Sequence, residues 1–114
     1  MVNRKFIAVP CQLFPGAFSG ERVFVVALAN GDSYRSGGPR EFCWNARGEL
    51  VGPVQPPAEG EDGFLAARMV EQLDGEQVAV EIPDGEVIAV PRDSIRARPT
   101  EIRPPVPVLQ SVAG

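Results

Sequence analysis

The chain has no histidine, a single lysine, one tryptophan, one tyrosine and only two cysteines among its 114 residues. The missing histidine removes the usual general base, the usual metal ligand and the usual switch near neutral pH. Two cysteines are too few for a disulfide scaffold; Cys11 and Cys43 could pair in an oxidising compartment if they faced each other on neighbouring strands, but the preferred reading is buried, reduced thiols that behave as small apolar side chains. With one lysine and a net charge of -4, the chain also lacks the clustered cations that grip a phosphate backbone. No apolar run approaches the ~20 residues of a membrane span. The opening MVNRKFIAVPC imitates a targeting signal, but its apolar stretch stops at Pro10, short of the ~7 residues that a signal core needs at minimum. A soluble, cytoplasmic protein with no membrane partner is expected.

Catalytic patterns are absent too. There is no HxxxH, CxxC pair, Walker loop or GxSxG, and Ser33 beside Asp32 and Ser94 beside Asp93 have no base to activate them. Glu59, Glu61 and Asp62 lack an EF-hand register and read as a solvated linker. The chain is therefore expected to be no enzyme and to need neither metal nor cofactor.

What is present is a repeat. Residues 20–32, GERVFVVALANGD, return as GEQVAVEIPDGE at 75–86, and the triplets Pro39-Arg40-Glu41 and Pro91-Arg92-Asp93 follow the two copies. Apolar residues make up 44% and charged residues 23%, the balance of a folded domain. A unit of about 50 residues buries only ~60% of its unfolded surface and is marginal alone, so two such units should pack together or oligomerise. Strands are expected over residues 6–14, 21–29, 32–36 and 41–45, with a type I′ turn at Asn30-Gly31. In the second copy they are expected over 64–73, 76–82, 86–90 and 95–98, with a hairpin at Asp84-Gly85 and a short, 3₁₀-like turn at 91–94. FLAARMVEQL at 64–73 also has the composition of a helix, with apolar residues at 65, 69 and 73; the repeat argues for a strand. The resulting division is repeat 1 over 1–51, a Pro/Gly/acid-rich linker over 52–62, repeat 2 over 63–103 and a Pro-rich tail over 104–114.

The two copies differ in character. Residues 1–58 carry a net +2 and residues 59–114 carry -6. Seven of the eight aromatic residues lie in the first copy, which makes it the candidate for ligand contact. In the second copy Val78, Val80 and Ile82 alternate with more polar residues, so one face is buried. In the first, Val23, Val25 and Ala27 fill one face while Phe24, Val26 and Leu28 fill the other. Both faces need cover, and Phe24, Val26 and Leu28 are the candidate interface, against the other repeat or a second copy of the chain.

The order of strand, hairpin, strand, turn and short strand, carried by VAVEIPDGEVIAVPRDSIRARP, resembles the plan of SH3-like small β-barrels, the broad class with Tudor-type and KOW-type domains. The resemblance implies an all-β fold of two SH3-like barrels in tandem, packed together, or one pseudo-twofold barrel. It also implies ligand contact near the loop after the first strand and the ends of the third and fourth. Phe18, Tyr34 and Trp44 map there with Arg35 and Arg40 beside them, as a cation cage or stacking platform. Neither the acidic and Trp groove motif of signalling SH3 domains nor a full KOW glycine pattern is present. The expected function is a non-enzymatic protein-interaction or scaffolding module, self-associating or binding a protein. The alternative is a weak nucleic-acid binder that adds the basic strip of Arg92, Arg96, Arg98 and Arg103 to those aromatics.

Overall fold

A computed structural model describes residues 5–99. The chain runs through β1 (Lys5–Pro15), β2 (Glu21–Ala27), β3 (Ser33–Pro39), a 3₁₀ turn (Arg40–Phe42), β4 (Cys43–Asn45), β5 (Glu61–Gln72), β6 (Gln77–Glu81), β7 (Val87–Pro91), a second 3₁₀ turn (Arg92–Ser94) and β8 (Arg96–Ala97). The fold is all-β, one antiparallel sheet curled into a half-barrel. The segment 64–73 is strand through Gln72 and not helix. The long pairing of β5 with β1, from Glu61 to Met69, outweighs the local helical composition, since tertiary pairing routinely overrides propensity. None of the described residues forms a helix long and apolar enough to cross a membrane. The tail at 104–114 and Arg103 lie outside the described residues.

The sheet order is β3-β2-β1-β5-β6-β7, with β4 added to β5 and β8 to β1. β1 therefore meets β8 through Ile7 and Ala8 and β2 through Gln12 to Pro15. Pro10 falls between these, where β5 is the only strand paired with β1 among the described residues, the kind of position at which a strand tolerates proline. β4 pairs with β5 rather than with β1, so the segment that ends the first half seals the strand that begins the second.

Alternation places Ile7, Val9, Cys11 and Leu13 of β1 on the concave face with Leu65 and Ala67 of β5, and Phe24, Val26, Val78, Val80, Ile88 and Val90 complete the same core. Both halves thus share one interior. A second cluster sits on the opposite face of the β1–β5 pair, where Trp44 lies with the cross-strand alanines Ala8 and Ala66, flanked by Phe42 and Phe64.

Both hairpins close in one way. Leu28 N–H donates to Asp32 O and Gly31 N–H to Leu28 O; Ile82 N–H donates to Glu86 O and Gly85 N–H to Ile82 O. No residue other than glycine has positive φ among those described, so the expected type I′ turn does not form. These are three-residue loops in which only the glycine, at φ 94° for Gly31 and 90° for Gly85, turns left-handed. Asn30 and Asp84 instead accept the N–H two residues ahead, from Asp32 and Glu86. An added Cβ at Gly31 or Gly85 would meet nothing within 4 Å, so a substitution there strains the backbone alone. Gly31→Val and Gly85→Val are each expected to lower stability by about 1–2 kcal/mol in urea unfolding.

The turns also set which face of β2 is core. Counted back from the closures, Phe24, Val26 and Leu28 stand where Val78, Val80 and Ile82 stand. The pattern matched from the shared Gly-Glu start is one residue out of step, and in a strand one residue exchanges the faces. Val23, Val25 and Ala27 are accordingly the outward set, half-buried or exposed. Phe24 and Val26 are fully buried within the single chain and leave no surface there for a second copy, so Phe24→Glu probes folding rather than association.

Candidate functional site

The five residues singled out as a ligand platform do not converge. Phe18 lies in the loop after β1 and is 63% exposed. Tyr34, on β3, pairs with Val26 and packs against the core, whereas Arg35 pairs with Val25 and points to the opposite face, its guanidinium 5.3 Å from the Phe14 ring centre. Arg40 donates from Nη1 to Val51 O at 3.1 Å. Trp44 is completely buried on the outer face of the β1–β5 pair. A cage would need three aromatic faces turned to one space, and alternation turns Tyr34 away from the others.

Tyr34 has another task. Its hydroxyl donates to Asp84 Oδ2 at 2.7 Å, and Ala29 N–H donates to Ala89 O at 3.0 Å, so the β2–β3 hairpin reaches the β6–β7 hairpin. Burial alone would raise the Asp84 pKa, but the Glu86 N–H and the Tyr34 and Ser36 hydroxyls stabilise the ionised form and hold it below its ordinary value. The hydrogen bond to Asp84 raises the Tyr34 pKa. A depressed carboxyl pKa contributes stability above the unfolded value of about 4 and loses it as pH falls through the folded one. The raised phenol contributes below about 10 and loses its share as pH climbs through its folded value. Tyr34→Phe should therefore cause a small loss of stability at neutral pH that narrows below about pH 4, followed by thermal unfolding against pH.

The segment read as a free linker is anchored by an arginine that drew no attention in the sequence. Arg22, on the core face of β2, is wholly buried. Its Nη1 donates to Ser19 O and Glu21 O at 2.9 and 2.7 Å, and its Nη2 to Gly52 O and Val54 O at 2.7 and 2.9 Å. Gln55 Oε1 accepts the Gly16 N–H at 3.2 Å. Burial pulls the Arg22 pKa below its ordinary value, yet it remains a cation, since an arginine stays charged in proteins. An arginine in an apolar strand pattern, with a proline-rich and therefore donor-poor segment elsewhere whose carbonyls lack local N–H partners, was the available signal.

Both cysteines are buried with free thiols. Burial raises both pKa values, that of Cys43 to about 12, so neither offers a thiolate nucleophile at neutral pH. No group of three His, Cys, Asp or Glu side chains among the described residues could hold a metal ion.

Charge and aromatic surface do gather on the outer face of the β1–β5 pair. The register sets Phe6 opposite Arg68, Ala8 opposite Ala66 and Pro10 opposite Phe64, and sets Arg96 opposite Ala8, so alternation gives all of them the same face. Arg96 folds back onto its own turn, with Nη1 donating to Asp93 O and Ile95 O. Arg98 instead crosses the pair, its Nε donating to Ile7 O and its Nη2 to Ala67 O, both at 2.9 Å, with its guanidinium 5.0 Å from the centre of the Phe6 ring. Phe6 itself is 61% exposed. Arg68 pairs with Glu81 across β5 and β6. Beside them lies a pocket of about 240 Å³ walled by Phe42, Ala66, Ile82 and Pro83, with Arg68, Glu81 and Arg98 at its rim. The sequence marked Arg98 as part of a basic strip; Phe6 and Arg68 were missed, because only the β1–β5 register brings them beside it. Comparison with protein-family models, with curated proteins and with solved structures gave no match for this chain, and the function rests on the chemistry of these surfaces.

Proposed function

We propose that this chain is a non-enzymatic protein-interaction module, built from two SH3-like units whose closing strands are exchanged into one core. The succession of three strands, a 3₁₀ turn and a short strand occurs twice, and this supports the reading. So do the pairings: β4 joins β5 as β8 joins β1, with Trp44 opposite Phe64 as Arg96 is opposite Ala8. Exchanging the halves about the Val9–Leu65 pair leaves the β1–β5 register unchanged. The exchange also gives each half a reason to need the other, since a small unit alone buries too little surface.

The observation that carries the interaction role is a difference between corresponding outward positions. β2 places the half-buried Val23 and Val25 and the exposed Ala27 where β6 places Gln77, the buried Ala79 and Glu81, and the half-buried Phe14 of β1 stands opposite Val23. One outer face is built for water and the other for contact. A tagged full-length chain should capture one stoichiometric protein from its native lysate. Recovery should survive nuclease and added salt, and Val25→Glu, at a half-exposed position, should abolish it in a chain that still folds. Retention that disappears with nuclease, or that is indifferent to Val25→Glu, would count against this reading; steep salt dependence would favour nucleic acid instead. Sedimentation of the purified chain separates self-association from capture of a different protein.

A further inference from the structure

We propose that the pocket beside Arg98 binds a carboxylate, taking an acidic residue of a partner protein with an apolar neighbour of that residue against the pocket wall. The assignment rests on the interaction-module reading and names the chemistry of the partner at a second surface, on the convex side of the β1–β5 pair.

Arg98 is the reason. Its guanidinium has five N–H donors, and the structure uses Nε and Nη2, on Ile7 O and Ala67 O, two residues paired across the central strands. With the Phe6 ring below it, the group is fixed in position and its Nη1 makes no hydrogen bond among the described residues. Neither ion pair among the described residues involves it. Among the described residues this half-buried cation is thus compensated by carbonyl dipoles and a ring quadrupole, and burial draws its pKa down. An oxyanion at Nη1 would supply the missing charge without any reordering of the arginine, the arrangement that favours binding most.

The rest of the pocket selects the anion. Arg68 is already neutralised by Glu81, so the rim offers one net positive charge. One net positive charge is matched by a singly charged carboxylate, whereas a phosphate dianion would leave a second negative charge uncompensated at a partly apolar site. The wall of Phe42, Ala66, Ile82 and Pro83 is apolar, and a volume of about 240 Å³ lies below the ~300 Å³ at which sites for whole small-molecule ligands begin. It has room for a side chain and its neighbour, not for a nucleotide or a cofactor.

The test is an NMR titration of the isotope-labelled full chain with three probes: 4-methylpentanoate, the isosteric alcohol 4-methylpentan-1-ol, and inorganic phosphate. The carboxylate should give saturable shifts at the Arg98 Nε–H and at the amides of Ala67 and Ile82, with the alcohol and phosphate weaker by about tenfold or more, a factor of ten being worth about 1.4 kcal/mol. Arg98→Gln should remove the carboxylate response. Because that change also disturbs the contacts to Ile7 and Ala67, Arg68→Gln serves as a second variant; it leaves Arg98 framed but unpairs Glu81, and should weaken carboxylate binding several-fold while sparing the alcohol. Equal binding of alcohol and carboxylate, a preference for phosphate, or shifts that persist at other sites in folded Arg98→Gln would each overturn the proposal. If the carboxylate fails while capture sensitive to Val25→Glu persists, the pocket assignment falls alone. If the carboxylate binds and that capture is absent, the interaction reading falls and the pocket stands.

Discussion

Trp44→Ala is expected to destabilise the protein by about 3–5 kcal/mol, the range for truncating a large aromatic residue in a packed interior. Trp44 is fully buried, on a strand of only three residues, and fills the space that the paired alanines Ala8 and Ala66 leave on the outer face of β1 and β5. Those alanines cannot move into the hole, because both are held in the central ladder. The loss should also loosen β4 from β5, since Trp44 links Phe64 on one side and Leu50 on the other. Urea unfolding followed by circular dichroism measures it; the parent's only tryptophan gives a second, fluorescence readout that the variant lacks. A loss below about 1 kcal/mol would mean that the site is open to water and that the outer cluster is not a core.

The second large effect is at Arg22. Removing the side chain strips donors from four carbonyls, those of Ser19, Glu21, Gly52 and Val54, and opens a cavity in place of a fully buried side chain. Arg22→Ala is expected to lower stability by about 3–4 kcal/mol, combining unmet carbonyls with lost volume. Arg22→Lys keeps the charge but not the fork and should recover only part of this, because a point cation cannot serve two pairs of carbonyls at once. Arg22→Met, which keeps the stem and avoids burying a charge, should be milder than alanine. Hydrogen exchange gives the discriminating readout: amides between residues 50 and 55 should lose protection in Arg22→Ala before the β1–β5 ladder does. Unchanged exchange over that segment would show that its anchor lies elsewhere.

Most strands were legible because alternation and turn residues are local signals. Asn30-Gly31 and Asp84-Gly85 placed both hairpins, Pro91 to Ser94 announced the second 3₁₀ turn, and the apolar runs at 6–14 and 76–82 announced the strands that β1 and β6 became. Phe24, Val26 and Leu28 do pack against the other half, in the shared core, but which face of β2 turns inward is not legible in the sequence. Both of its faces are apolar, so composition could not say which points inward; the hairpin closure decides, and the two copies differ by one residue between their shared start and that closure. The ligand platform failed for a related reason, since Tyr34 and Arg35 are neighbours in sequence and therefore opposite in a strand.

Arg22 shows the limit of reading charge as surface. A charged residue in an apolar strand is ordinarily expected to reach water, and here it is buried because a Pro/Gly-rich segment brings two carbonyls to it from some thirty residues away. The pocket at Arg98 depends on a still longer connection, to Ile7.

The sequence by itself determined that this is an all-β chain with two hairpins and no histidine chemistry, because each of these follows from residue types and spacings within a few positions. Only the tertiary structure decided that the short strands β4 and β8 each seal the other half, that Phe24 and Val26 are core while Val23 and Val25 look outward, and that Phe6, Arg68 and Arg98 share one face. These depend on long-range register, and register is set by the combined packing of strands far apart in the chain rather than by any segment alone.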